Sequence, residues 1–230
     1  MKYQIISLVA LAFPFVAGCV GEDVDEFAPM ADEGQEIGAT SAALSAQPSP
    51  SDIYIEDIIP SGSGCRTDDS VTSVIGHDGQ SFIIIFNDMQ LTYPPGTLIQ
   101  NKSCVAVLKL HVPQGIQVSV ATVNTSGFAS LEHGHSAVQY SRYFFAGQPL
   151  GGSFRTPIVG PHEDIYRFTD QVAFSSLVWS PCGASRDFAI NTTLNLNTSG
   201  NRRGAALFNN DTIDGAFQKV LHLQWRNCNG

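Results

Sequence analysis

Apolar and polar side chains alternate with a period of two over much of the chain after residue 52, and this pattern restricts the fold more than any other feature. The clearest run is residues 188–197, where apolar side chains and Thr192 occupy every second position, with amide, hydroxyl or small side chains between them. Residues 106–112 and 221–226 alternate in the same way. Such alternation is typical of antiparallel strands with one buried and one solvated face. No segment shows the 3.6-residue period of a helix over three turns, so we predict an all-β fold.

Turn signals separate these segments at short intervals. Glycine or proline, usually beside Asp, Asn or Ser, marks residues 78–79, 94–96, 113–115, 199–201 and 214–215. About ten short strands at this spacing are typical of a sandwich or a barrel. The composition is 43% hydrophobic, which is enough for a substantial core. We therefore expect residues 51–230 to form one antiparallel β-sandwich.

The first 18 residues are expected to be a secretory signal. A positively charged start is followed by a 12-residue apolar run, residues 5–16, which is too short to span a bilayer. The run ends in the motif V-A-G-C, which resembles the bacterial lipobox, where the cysteine is lipid-modified and becomes the mature N-terminus. We expect Cys19 to carry the lipid and the protein to lie at the outer membrane or cell surface. Free secretion, with an ordinary signal, is the alternative.

Residues 19–50 differ in composition from the remainder. They contain seven acidic residues and no Lys or Arg, and they end in Q-P-S-P. Like charges, few large apolar side chains and proline predict a disordered acidic tether between the lipid and the folded domain. The tether accounts for most of the formal net charge of -9. An acidic chain lacks the basic surface of a nucleic-acid-binding protein, so we expect no nucleic-acid partner.

Four cysteines remain when Cys19 is set aside, and an even number in an exported domain predicts disulfide bonds. Three pairings are possible. We expect Cys65–Cys104 and Cys182–Cys228, since each bridge then closes a loop within one half of the domain. Each would contribute about 3–4 kcal/mol through loop entropy. A four-thiolate zinc site is the alternative, which the absence of a C-x-x-C pair disfavours.

Motifs around these cysteines carry a resemblance to a known family. They are, in order, S-G-C at 63–65, N-K-S-C at 101–104, P-Q-G at 113–115, W-S-P-C-G at 179–183 and L-Q-W-R-N-C at 223–228. Together they resemble the secreted family catalogued as domain of unknown function 4360, found in bacteria and fungi. The resemblance covers residues 53–228, and its most specific parts are W-S-P-C-G and the closing W-R-x-C. It implies export and paired cysteines, and it assigns no activity and no catalytic residues.

Three histidines form a candidate metal site. His133 and His135 would share one side of an extended strand, and His162 follows downstream beside two acidic residues. Imidazole suits zinc or copper, so these residues could serve a metal-dependent or hydrolytic enzyme. Surface histidines beside a glycine turn are the simpler interpretation. Since no metalloprotease helix, nucleophile elbow, phosphate loop or dinucleotide motif occurs, we expect no cofactor and favour a protein that is not an enzyme.

Aromatic and amide side chains provide candidates for ligand binding. Alternation places Tyr140 and Phe144 on one face of a strand and Tyr143 and Phe145 on the other, and we favour core packing over sugar stacking for this cluster. We interpret the tryptophans near two cysteines, Trp179 and Trp225, as core side chains as well. A polar stripe would bind the hydroxyls of a ligand or simply form a solvated face; it consists of Asn191, Thr193, Asn195 and Asn197.

The leading functional hypothesis is a non-catalytic module of the cell envelope that binds a glycan or a protein. It rests on the export signal, the small disulfide-bonded fold and the lack of a recognisable catalytic set. The alternative from another class is an exported metal-dependent or hydrolytic enzyme that uses the region of His133, His135 and His162. A structural surface-coat protein is the third hypothesis.

Overall fold

The computed structural model describes most of the chain beyond residue 51. All described residues belong to one unit, Ser45–Gly230, and they comprise residues 52–76, 80–147, 151–172, 179–209 and 219–228. The predicted signal peptide (1–18), the predicted lipid site at Cys19 and the predicted tether (19–50) lie outside the described residues. They stay predictions.

Strands dominate the described residues. Twelve strands and one short 3-10 turn, Asp68–Ser70, are present there, and no helix in this part has the length and apolar composition needed to span a bilayer. The strands are β1 Tyr54–Ser61, β2 Val71–Ile75, β3 Ser81–Phe86, β4 Gln90–Tyr93, β5 Ile99–His111, β6 Ile116–Leu131, β7 Ser136–Phe145, β8 Gly152–Val159, β9 His162–Asp170, β10 Arg186–Asn197, β11 Ala206–Asn209 and β12 Lys219–Asn227.

The strands form two sheets that pack face to face. One sheet has five strands in the order β1-β5-β10-β7-β8. The other has seven strands, with the path β2-β3-β12-β6-β11-β4 and with β9 also paired to β6. Every pairing is antiparallel. The predicted all-β antiparallel sandwich is therefore confirmed. The strand number exceeds the expected ten because β4 and β11, with four residues each, are too short to show a clear alternation.

The alternation of the sequence determines which side chains enter the core. In β10, the inward side chains of Phe188, Ile190, Leu194 and Leu196 are buried. The odd-numbered residues 191, 193 and 195 are partly exposed. The same division holds in β5 and β7. Each fully buried large aliphatic or aromatic side chain contributes about 1.5–3 kcal/mol through the hydrophobic effect. The core therefore lies between the sheets, and every second residue of the central strands remains on the surface.

Two disulfide bonds join the predicted cysteines. Cys65 and Cys104 have Cα atoms 5.4 Å apart, and Cys182 and Cys228 have Cα atoms 5.6 Å apart. The first bridge attaches the segment after β1 to β5, and the second attaches the segment before β10 to the end of β12. They close loops with sequence separations of 39 and 46 residues. On the loop-entropy model each contributes about 4 kcal/mol, and both pairings confirm the prediction.

Candidate functional site

The candidate site is the outer face of the five-stranded sheet, which is the surface that points away from the seven-stranded sheet. It is formed by the odd-numbered residues of β5 and β10, the even-numbered residues of β7 and the odd-numbered residues of β8. Since β10 pairs with β5 on one side and β7 on the other, its outward polar stripe lies in the middle of the sheet. A central strand is held by hydrogen bonds on both edges, so these side chains project from a rigid support.

Amide and hydroxyl side chains meet across the strands at the middle of the outer face. Asn195 lies opposite Asn101 of β5, and the Asn101 Nδ2 donates a hydrogen bond to the Asn195 Oδ1 at 2.7 Å. Thr193 lies between Ser103 of β5 and Tyr140 of β7. Within the described residues, neither Thr193 nor Asn191 forms a side-chain hydrogen bond. These groups therefore keep donors and acceptors for a ligand.

An exposed tyrosine lies beside this polar stripe. The side chain of Tyr140 is 42% exposed. Arg155 of β8 is its direct neighbour across the strands, and the Arg155 Nε donates a hydrogen bond to the Tyr140 hydroxyl at 3.3 Å. The Arg155 guanidinium carbon is 5.8 Å from the centre of the ring. Arg155 therefore contacts Tyr140 both at its hydroxyl and over its ring, and Tyr140 stays exposed beside this contact.

The aromatic cluster of residues 140–145 divides between the two faces, as the alternation requires. Tyr143 and Phe145 are buried in the core, which agrees with the favoured interpretation. Tyr140 is exposed, so core packing is wrong for this residue. The Phe144 ring is partly buried and lies 6.0 Å from the guanidinium carbon of Arg142, which is itself exposed on the outer face.

The interpretation of both tryptophans as core side chains is wrong for Trp225, which is 43% exposed. Its position continues the inward phase of β12. However, β12 pairs with β3 only as far as His222, and beyond that residue it pairs with β6 alone. Among the described residues, no strand therefore pairs with the second edge of β12 beside Trp225. Trp179 is partly buried, and the Arg226 guanidinium lies 4.4 Å from the centre of a Trp179 ring.

The structure places two of the three candidate metal-binding histidines at one surface depression and buries the third. His133 and His162 line a surface depression of about 430 Å³ together with Glu132, Glu163 and other residues. His135 is 1% exposed, and its Nε2 donates a hydrogen bond to the Asn201 carbonyl oxygen at 2.8 Å. Among the described residues, no three His, Cys, Asp or Glu side chains come together as a metal site would require. Metal binding at His133, His135 and His162 stays a prediction.

The position of Glu132 gives a structural reason for the local arrangement. Its Oε1 accepts a hydrogen bond from the Ala205 backbone N–H at 3.0 Å, and its Oε2 accepts one from the Asn201 side-chain amide at 3.4 Å. His135 bonds to the backbone of the same segment. Glu132 and His135 therefore attach the turn after β10 to the turn after β6, and this role explains both residues without a metal ion.

A buried polar cluster, which the sequence reasoning missed, lies between the two sheets. Lys219 is fully buried, and its Nζ donates hydrogen bonds to the Thr125 Oγ1 at 2.9 Å, the Ser141 Oγ at 3.1 Å and the Tyr143 hydroxyl at 3.1 Å. The Tyr143 hydroxyl in turn donates to the Asp170 Oδ2 at 2.7 Å. All three donors of the ammonium group are therefore satisfied by hydroxyl oxygens.

Burial shifts the ionisation of this cluster. It lowers the pKa of Lys219 to about 8, while the negative charge of Asp170 opposes that change. Burial also raises the pKa of Asp170, against the hydrogen bond from Tyr143 and the charge of Lys219. The pKa of Tyr143 lies well above its ordinary value, first through burial and then through Asp170. One feature of the sequence indicated the burial of Lys219. It lies two residues before Leu221, so the two side chains point to the same side of the strand.

Comparison with known proteins supplies family information. The family model described as Domain of unknown function (DUF4360) matches residues 51–228. An uncharacterized secreted protein of Arthroderma benhamiae is 34% identical over 183 residues, which cover 79% of this chain and 74% of that protein.

Two solved structures are similar at low TM-scores. The carbohydrate-binding module TmCBM61, solved in complex with beta-1,4-galactotriose, is 9% identical with a TM-score of 0.25, covering 76% of this chain and 90% of that chain. The enzymatically active domain of bacteriophage CBA120 tailspike protein 4 is 15% identical with a TM-score of 0.27, covering 77% of this chain and 20% of that chain. At these TM-scores neither similarity bears on the ligand.

Proposed function

The chain belongs to the family described as Domain of unknown function (DUF4360), and from this premise we propose that it is an exported, non-catalytic module that binds carbohydrate on the outer face of its five-stranded sheet. The observation that carries the proposal is the exposed ring of Tyr140 beside a stripe of amide and hydroxyl side chains on a rigid sheet. Because functions reside in sites and not in folds, the proposal rests on these side chains and not on the sandwich itself.

The chemistry of the stripe suits a sugar. A sugar ring has an apolar side formed by its C–H groups, and its hydroxyls both donate and accept hydrogen bonds. Tyr140 offers a flat apolar ring with a polar end. Asn191, Thr193 and Asn195 offer donors and acceptors at the spacing of alternate residues in a strand, about 7 Å. A chain of sugars lying across β7 and β10 would therefore meet apolar and polar groups together.

Export is supported by two independent observations. The relative from Arthroderma benhamiae is described as a secreted protein. The two disulfide bonds also fit an oxidising compartment, since such bonds are rare in reducing cytosol.

The finer location at a membrane rests on the V-A-G-C motif that ends at Cys19. A lipid on Cys19 would anchor the chain at the cell envelope. Metabolic labelling with a palmitate analogue should mark the wild-type protein and leave a Cys19→Ser variant unlabelled. Equal labelling of the two proteins, or none in either, would refute this site.

The test of carbohydrate binding compares two tyrosines of nearly equal exposure. Tyr140 is 42% exposed and Tyr54 is 44% exposed, and both lie on the five-stranded sheet. Tyr54 stacks on the His111 ring at 4.6 Å, at the opposite end of that sheet. We expect the purified full chain to bind members of a glycan array, and Tyr140→Ala to weaken that binding about tenfold, or ~1.4 kcal/mol.

The matched control is Tyr54→Ala, which removes the same side chain outside the stripe and should leave binding unchanged. Equal losses from the two variants would contradict the assignment of binding to the stripe beside Tyr140. No glycan bound at all, together with a protein captured in pull-downs from envelope extracts, would replace carbohydrate with a protein partner.

A second candidate is a metal-dependent or hydrolytic enzyme at His133, His135 and His162. The shared depression lined by His133 and His162 favours it, and the buried position of His135 counts against it. Calorimetric titration of the purified chain with zinc or copper should show tight binding that His133→Ala abolishes. Absence of binding at micromolar metal would remove this candidate.

A further inference from the structure

Two arginines flank Tyr140 on the outer face. Arg155 is directly opposite Tyr140 in the pairing of β7 with β8, and Arg142 follows two residues later on β7 with its side chain on the same face. Arg142 is opposite Ser153, so Arg142 and Arg155 form a diagonal cross-strand pair. The Cα atoms of such a pair are about 7–8 Å apart. Both guanidinium groups are therefore within reach of a sugar that contacts the tyrosine ring.

Both guanidinium groups keep hydrogen-bond donors. Arg155 uses its Nε for the Tyr140 hydroxyl, and Arg142 forms no hydrogen bond in the part of the chain that the structure describes. Neither arginine forms an ion pair with a described carboxylate. A guanidinium group carries five N–H donors in a planar fork. Most of these donors consequently point to solvent, with a positive charge that no described neighbour neutralises.

Acidic side chains are absent from the described outer-face positions around this pair. The positions opposite Tyr140 and Arg142 on β10 are Thr193 and Asn191. The acidic residue of β10 is Asp187, which lies four residues before Asn191, or about 13 Å along the strand, and opposite Lys109. Since the whole chain has a formal net charge of -9, two unpaired arginines beside an exposed tyrosine form a local cationic patch on an acidic protein.

Resting on the proposed function, we infer that the ligand of the outer face is an acidic polysaccharide, whose sugar rings carry carboxylate or sulfate groups. Tyr140 packs against the apolar side of one ring, and Arg142 and Arg155 bind the anionic substituents. The planar guanidinium fork matches a carboxylate with two parallel hydrogen bonds, and charge-assisted bonds of this kind are stronger than neutral ones. The amides and hydroxyls of β10 bind the neutral hydroxyls of the sugar.

The first experiment changes the charge of the ligand and keeps its backbone. Binding of the purified full chain is measured by affinity electrophoresis with polygalacturonate and with the same polymer fully methyl-esterified. We expect esterification to weaken binding about tenfold or more, because it removes the charge-assisted hydrogen bonds. Binding to polygalacturonate should also weaken as salt rises, whereas a purely neutral contact would not respond.

Two further polymers distinguish the sources of the charge. Dextran sulfate presents sulfate on a sugar backbone, and polyglutamate presents carboxylates without sugar. Binding of either acidic sugar polymer in preference to polyglutamate supports the inference and identifies the anionic group. Equal binding of polyglutamate would overturn it, because charge alone would then suffice, and the acidic residues 20–50 of the chain itself would be an equivalent ligand.

Arginine variants locate the patch. Arg142→Gln and Arg155→Gln should each weaken binding of the acidic polymer about tenfold, and the lysine variants at the same positions should keep part of it because charge remains without the fork. Arg167→Gln is the matched control, since Arg167 is an exposed arginine on the opposite sheet. Arg167→Gln should leave binding of the acidic polymer unchanged.

The outcomes separate this inference from the proposed function. If the esterified polymer binds as well as the acidic one, and if Tyr140→Ala abolishes binding while both arginine variants retain it, the acidic ligand is wrong and carbohydrate binding stands. If no polysaccharide binds to the folded wild-type chain, the proposed function and this inference both fail.

Discussion

Strand β7 places polar side chains in two opposite environments within four consecutive residues. Tyr140 and Arg142 project to the outer face, where their donors meet solvent, whereas Ser141 and Tyr143 project into the core and join the buried cluster around Lys219. The residue types are similar on the two sides. The difference lies in pairing, because the inner groups bond to protein partners and the outer groups largely do not.

This difference indicates which polar groups serve the fold and which remain for a ligand. A polar group buried without a partner costs about 1–3 kcal/mol, so the inner set must be complete for the sandwich to be stable. An exposed group bears no such cost, since water satisfies it. We therefore expect changes in the inner set to reduce stability and changes in the outer set to reduce binding.

The largest effect should follow Lys219→Met. Asp170 is 3% exposed as a residue. Removing the ammonium group leaves its carboxyl group without its cationic neighbour, and breaking a buried charge pair in this way costs about 3–5 kcal/mol. Chemical denaturation measures the loss. Lys109→Met is the control, because the 3.4 Å ion pair of Lys109 with Asp57 is solvent-exposed and should contribute less than about 1 kcal/mol. Similar losses of stability in both variants would show that the buried Lys219 contributes no more than the exposed Lys109.

Two tyrosines on the same strand provide the next test. Tyr143→Phe removes a hydroxyl that accepts from Lys219 and donates to Asp170, so the free energy of unfolding should fall by about 1–3 kcal/mol. Tyr140→Phe removes a solvent-exposed hydroxyl and should change it by less than about 0.5 kcal/mol. Equilibrium unfolding in urea compares the two variants. A greater loss of stability for Tyr140→Phe would show that the outer hydroxyl, and not the inner one, supports the fold.

A smaller effect should appear in the pH dependence of stability. The pKa of Lys219 is lowered to about 8 in the folded protein and returns to about 10.4 on unfolding. Between these values the unfolded chain binds more protons at this residue, so the contribution of Lys219 to stability increases as pH rises.

The measurement is the free-energy difference between the wild-type protein and Lys219→Met at two pH values. From about pH 7.5 to about pH 9.5 this difference should grow by about 1–2 kcal/mol. Higher pH is avoided because unfolding would then release the buried Tyr143, whose pKa is raised, to ionise. A difference that is constant over this interval would mean that Lys219 keeps an ordinary pKa.

The smallest change in stability should follow Arg142→Gln. Arg142 is exposed and forms no hydrogen bond to the described residues, so the free energy of unfolding should change by less than about 0.5 kcal/mol. Thermal unfolding and polymer binding are measured on the same preparation, so stability and binding are compared directly. A loss above about 1 kcal/mol would show that Arg142 supports the fold, and the distinction between the two faces of β7 would fail.

Much of the fold could be predicted because the alternation within each strand depends on local rules and because few cysteine pairings were possible. The alternation of residues 188–197 predicted β10 and its buried face, and the bridges Cys65–Cys104 and Cys182–Cys228 agreed with pairing within each half of the domain. The candidate site could be predicted only in part. The stripe on β10 was visible as a set of amides and hydroxyls, but its place in the middle of a sheet depended on strand order.

The incorrect interpretation of Trp225 and the missed burial of Lys219 share one cause. Trp225 has the inward phase of its strand yet is exposed, since the pairing of β12 with β3 ends three residues earlier. Lys219 has a charged side chain yet is buried, since hydroxyls from two sheets meet its ammonium group. In each case residues distant in the chain form the environment of the side chain, so the local sequence pattern could not predict whether that side chain is buried.

By itself, the sequence determined that this chain forms strands and which side of each strand is apolar, and it favoured one of three possible cysteine pairings. The strands follow from the two-residue period of extended backbone, and the favoured pairing follows from keeping each bridge within one half of the domain. Only the tertiary structure decided that Tyr140, Arg142 and Arg155 share one open surface while Lys219, Tyr143 and Asp170 share a closed one. Strand order and sheet packing bring distant residues together, and burial then separates the groups that must pair from those that remain free.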